Sequence, residues 1–174
     1  MLFSSTFFRK HLSSEQGFTL LEMLVVIAIV GVLAAAVLAS LNQARGNARF
    51  SKARADVKEL RNAIGFLEND SYQWPSHITV NDIQSGTSGN EIWDLSLPIA
   101  GIVQTDGLFY KWQGPYMKAL PKDPWGNKYF FDPDYDIDPG AGETWAAVVG
   151  SFGPNGVGQH IYDSDNIYEV FGSQ

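Results

Sequence analysis

The chain has 174 residues, 45% of them hydrophobic and 13% aromatic, with no cysteine and a formal net charge of -7. That supply of apolar side chains excludes disorder throughout, and the negative balance argues against a nucleic-acid binder that works by neutralising phosphates. Without cysteine there are no disulfide staples or thiolate metal sites, so any loops outside the cytoplasm need another device to pin them.

Residues 1–17 carry Arg9, Lys10 and His11, and from 18 to 41 the only charge is Glu22. As a helix this run spans roughly 36 Å, enough to cross a bilayer core of ~30 Å. The basic residues ahead of it predict a cytoplasmic N-terminus. Three readings compete. A secretory signal peptide would be cut after the run, within "LAAAVLAS". A plain membrane anchor would stay uncut and leave Glu22 unexplained. Cleavage between Gly17 and Phe18 would leave the hydrophobic helix at a new N-terminus.

The stretch "GFTLLEMLVVIAIVGVLAAAV" resembles the N-terminus of type IV pilins and of type II secretion pseudopilins. The likeness lies in the basic leader, Gly17 at the cut, Phe18 as the new first residue and Glu22 four residues later. It implies removal of residues 1–17 by a membrane prepilin peptidase, N-methylation of Phe18, and extraction from the membrane into a helical filament. Partners implied are other copies of the chain, other pilins or pseudopilins, and an inner-membrane assembly platform. A carboxylate at a bilayer centre costs on the order of 3 kcal/mol, and less near a helix end. There Glu22 can meet the α-amino group that cleavage creates on a neighbour, so that a mis-staggered subunit leaves both charges unpaired. Many family members carry a proline near the end of the apolar run; here "AVLASLNQ" has none, and Gly31 is the remaining weak point.

From Asn42 the pattern turns amphipathic. Phe50, Ala53, Val57, Leu60, Ile64 and Leu67 recur at spacings of three and four, one face of a helix, opposite a face bearing Arg45, Arg49, Lys52, Arg54, Lys58 and Arg61. One long helix is expected from about Gln16 to about Glu68, its second half lying against a globular domain. Pro75 ends it, with Tyr72 and Trp74 packing back on the helix end. Residues 77–113 read as mixed, with "NDIQSGTSGNE" an exposed loop and a helical turn before Pro98. "DPWGN" is a turn, since Pro124 presets one dihedral and Gly126 can take a positive one. "KYFF", "TWAAVVGSF" and "NIYEVFG" read as strands. The fold class is therefore α+β, one long N-terminal helix with a small antiparallel sheet packed on its amphipathic half. The stretch from Tyr116 to Tyr129 is similar to the "Y-x-x-x-L-P-x-D-P-W-G-N-x-Y" of major pseudopilins. The expected organisation is a leader at 1–17, a membrane and filament-core segment at 18–41, an amphipathic segment at 42–70 and a globular domain at 71–174.

Two acidic loops are candidates for calcium. Asp132, Asp134, Asp136 and Glu143 fall at positions one, three, five and twelve of an EF-hand-like register, although Ile137 takes the glycine position. The competing reading is an acidic hairpin whose alternating aspartates face water. The second loop is "SFGPNGVGQHIYDSDNIY", where Asn155, Asp163 and Asp165 are hard oxygen donors among glycines. It is similar to the C-terminal calcium loop of major pseudopilins. That likeness puts Asn155 where the first acid would stand and adds the carbonyl of Phe152.

No enzyme is expected: the three histidines are scattered, and no nucleophile elbow, zinc-binding helix motif or phosphate-cradling loop is present. The sequence favours a structural subunit of a pseudopilus or pilus. It would be held in the inner membrane with its N-terminus cytoplasmic and its globular domain outside, then built into a periplasmic or surface filament. The alternative is a tethered or secreted calcium-binding module that never polymerises.

Overall fold

The computed structural model describes residues 17–83, 89–140, 142 and 144–173. The rest of the expected leader and Glu143 lie outside the described residues. The chain divides into two compact units, Met1–Gln43 and Ala44–Gln174.

One helix, α1 (Leu20–Ser71), runs 52 residues without interruption. It begins later than the expected Gln16, because Gly17, Phe18 and Thr19 are not helical. It ends three residues later than expected. The Ser71 hydroxyl donates to the Leu67 carbonyl at 2.7 Å, and Tyr72 then takes a left-handed φ of 58° that stops the helix. In the first unit every helical residue is exposed, and the helix is long and apolar enough to cross a membrane.

In the second unit α1 buries the face that the three-and-four spacing marks out: Ala53, Val57, Leu60, Ile64 and Leu67 are all at most 1% exposed. Removing Leu60, Ile64 and Leu67 from water contributes about 2 kcal/mol each. After the helix, β1 (Gln73–Trp74) pairs with β2 (Ile78–Thr79) across a tight turn at Pro75–His77, in which Ser76 and His77 take positive φ values of 64° and 59°. Trp74 packs back as expected, buried, with its indole N–H donating to Glu68. Tyr72 does not; it stands 74% exposed. The short helical turn of the middle stretch is a 3-10 turn at Pro98–Ala100, starting at the proline rather than before it, as proline favours a first helical position.

The three expected strands form one antiparallel sheet in the order β3 (Tyr129–Asp136), β4 (Trp145–Ser151), β5 (Ile167–Ser173). Alternation splits the strands between two cores. Phe131, Ala147 and Val149 join the helix face, Leu95 and Ile102. Phe130, Ala146 and Val148 face the other way, with Tyr135, Phe152, Trp93 and Tyr162. Both faces of the sheet are thus covered.

This arrangement corrects the reading of Asp132, Asp134 and Asp136. They form neither an EF-hand-like loop nor a water-facing hairpin. All three lie in β3 and are buried, at 1%, 3% and 8% exposure. The strand is longer than "KYFF" because it continues to pair with β4 through a register shift between Asp132 and Tyr135.

Candidate functional site

The N-terminal site starts with two exposed, non-helical residues, Gly17 and Phe18. Thr19 then caps the helix. Its hydroxyl accepts the Glu22 N–H at 3.2 Å, and its own N–H donates to Glu22 Oε2 at 3.1 Å. The Thr19 hydroxyl also donates to the same Oε2 at 3.2 Å. This is a capping box, which satisfies two orphan donors of a helix start reciprocally. It has two consequences. The helix start is fixed so that Phe18 projects free of it, and the Glu22 carboxylate is held at the positive end of the helix dipole. Both bonds use Oε2, which leaves Oε1 without a partner among the described residues. The T-x-x-E spacing carries this signal locally, yet the sequence reading assigns Glu22 to assembly alone.

The C-terminal loop, residues 152–166, is built on the "DPWGN" turn. Asp123 is buried, and its carboxylate accepts from the Ser151 hydroxyl at 2.6 Å and from the N–H groups of Trp125 and Asn127 at 3.0 and 2.7 Å. The Asn127 amide then donates to the Gly153 carbonyl at 3.0 Å. The middle motif is therefore the footing of the loop, a link the sequence does not show because the partners lie 26 residues apart. Gly153 has a φ of 65°, and a Cβ there would sit 2.1 Å from the Asp165 carbonyl oxygen, so only glycine fits.

Three of the four residues assigned to this loop's cation come together. The Asn155 side-chain amide donates to Asp163 Oδ2 and to Asp165 Oδ1, each at 2.8 Å, and its backbone N–H reaches Asp165 Oδ2 at 3.1 Å. Asp165 is raised above the usual carboxylate range by burial and by hydrogen bonding with Asp163. Asp163 Oδ1 is buried with no hydrogen-bond partner among the described residues. Two converging carboxylates with an orphaned oxygen suit a hard cation. Asn155 fits only with its amide turned, because Oδ1 now accepts the Val157 N–H at 2.7 Å. Phe152 enters the second core by stacking on Phe130, ring centroids 4.5 Å apart. Among the described residues no group of three or more His, Asp or Glu side chains gathers as metal ligands.

Sequence reasoning misses one further cluster. His160, in the loop, approaches Glu91 at 3.3 Å and packs edge-on against Trp93. Glu91 adds its charge to that of Asp134 beside Asp132, whose carboxyl is pushed up to about 8, first by burial. Its own burial first, and then the charges of Asp132, Asp134, Asp136 and Glu91, raise Tyr162 to about 12. Only the fold brings Glu91 and His160 to β3.

Comparison with known proteins places these features in a family. Residues 12–38 match the model of the prokaryotic N-terminal methylation motif, and residues 99–166 match type II secretion system (T2SS), protein G. The type II secretion system core protein G of Escherichia coli K12 is 34% identical over 142 residues, covering 82% of this chain and 83% of the relative. The core protein G of Vibrio cholerae is 32% identical over 120 residues, 69% of this chain and 72% of the relative. That of Klebsiella pneumoniae is 30% identical over 152 residues, 87% and 94%. With the start of the long helix inside the first match, the anchored C-terminal loop inside the second, and a relative 34% identical over 82% of this chain, the chain belongs to the type II secretion system protein G family.

Proposed function

We propose that this chain is a structural subunit of the type II secretion pseudopilus, polymerising through its N-terminal helix. Prepilin peptidase removes residues 1–17, and Phe18 is N-methylated. Before assembly the helix sits in the inner membrane, N-terminus cytoplasmic and globular unit outside; an inner-membrane platform then adds the subunit to other copies and other pseudopilins. The observation that carries this reading is Glu22, a carboxylate in the helix cap with one oxygen unpartnered among the described residues, in the first turn of a helix that carries no other charge and is exposed through Leu41. In a packed bundle that oxygen accepts from a neighbour's α-amino group, which fixes the stagger. The test is Glu22→Val. Insertion into membranes is expected to persist while polymer yield collapses; normal polymer yield would defeat the assignment.

Calcium is proposed for the C-terminal loop. Asp163 and Asp165 would hold it, with the Phe152 carbonyl and with Asn155 turned to present its oxygen. The ion would supply the charge that two facing carboxylates lack, and would clip the loop where no disulfide can.

A further inference from the structure

Charge is divided unevenly in this chain. Residues 45–61 carry six basic and two acidic side chains, whereas residues 62–174 carry four lysines against 15 carboxylates. Within the basic stretch, Lys52 pairs with Asp56, and the Arg61 guanidinium lies 4.2 Å above the Phe171 ring. Arg54 and Lys58 are exposed and have no carboxylate partner among the described residues. They form one wall of a groove of about 410 Å³ whose other wall is the start of β5, from Ile167 to Glu169. Among the described strands β5 pairs only with β4, so it is an edge strand of the sheet.

Two adjacent cations that open onto a groove fit an exposed carboxylate carried on a projecting turn. Among the described residues, four carboxylate residues after Arg61 are exposed: Asp82, Asp106, Asp138 and Glu169. Asp82 is already engaged, and Asp106 pairs with His77 at 2.9 Å. Glu169 lines the groove itself. Asp138 remains, on the turn that follows β3, with its side chain unpartnered among the described residues.

We propose that the groove between Arg54, Lys58 and β5 receives Asp138 of a second copy of this chain. This rests on the polymer reading above. Like charges elsewhere on the two surfaces penalise other stagger positions, so the contact selects register as well as adding affinity.

The chain's lack of cysteine makes the test clean. Full-length Lys58→Cys and Asp138→Cys chains are co-assembled and oxidised. A crosslinked dimer is expected from the mixture and from neither variant alone. Arg54→Glu with Lys58→Glu should lower polymer yield roughly tenfold, and adding Asp138→Lys should restore it. Polymer that forms without the crosslink, or whose yield ignores the charge reversal, overturns the proposal and leaves the polymer reading standing. A reversal that instead abolishes binding to anionic vesicles, again without the crosslink, overturns it in favour of lipid headgroups. If the unaltered chain forms no polymer, both readings fall.

Discussion

Replacing Asp132 by asparagine should stabilise the globular unit at neutral pH and flatten its response to pH. Asp132 is 1% exposed, and its carboxyl stands at about 8 against an ordinary 3.8, because burial disfavours the charge and Asp134 and Glu91 repel it. Below about pH 4 the group is protonated in both the folded and the unfolded chain, so its contribution is fully present. As pH rises the unfolded chain ionises first, and stability falls by about 1.4 kcal/mol per pH unit until the folded group ionises near pH 8. Between pH 5 and 7 the loss is roughly 2.5 kcal/mol, or about 8 °C in melting temperature for a unit of this size. Asparagine has no proton to lose and keeps the acceptor that holds the Asp134 N–H at 3.0 Å. Asp165 is also raised and acts in the same direction, so the variant's slope should shrink rather than vanish. Asp94 and Asp106 are lowered; their contributions fade only as pH falls below the ordinary carboxylate range, outside this window. The assay is thermal unfolding of the detergent-solubilised chain from pH 5 to 8. Parallel curves for the variant and the unaltered chain would refute the assignment of a buried, neutral Asp132.

Two other outcomes follow from the C-terminal loop and its footing. Chelator should lower both the melting temperature and the protease resistance of residues 152–166, and Asp165→Asn should make the protein indifferent to chelator; no chelator effect on the unaltered chain removes calcium from the account. Asp123→Ala should cost about 3–5 kcal/mol in denaturant unfolding, since it strands the Ser151 hydroxyl and two turn N–H groups; a loss below about 1 kcal/mol would mean the turn does not support the loop.

What the sequence reveals divides along local and non-local lines. The buried face of α1 is legible because residues 53 to 67 repeat with the helical period, and the three strands because aromatic and β-branched residues cluster between turn signals. Gly17, Phe18 and Glu22 stand out by resemblance, while their cap at Thr19 is written in four consecutive residues. The aspartates of β3 mislead because D-x-D-x-D serves a cation loop and a strand equally. Which one forms depends on Trp93 and Tyr162, from distant parts of the chain, packing against Phe130 and Tyr135 of the same strand. The Asp123 network is hidden for the same reason, as its partners on β4 and in the C-terminal loop are remote in sequence.

Assembly through a processed N-terminal helix is the centre of this account, and the intact mass of the chain recovered from its native membrane tests it most directly. The expected mass lacks residues 1–17 and carries one added methyl group. A retained leader, or cleavage beyond Leu41 that discards the apolar run, would contradict it.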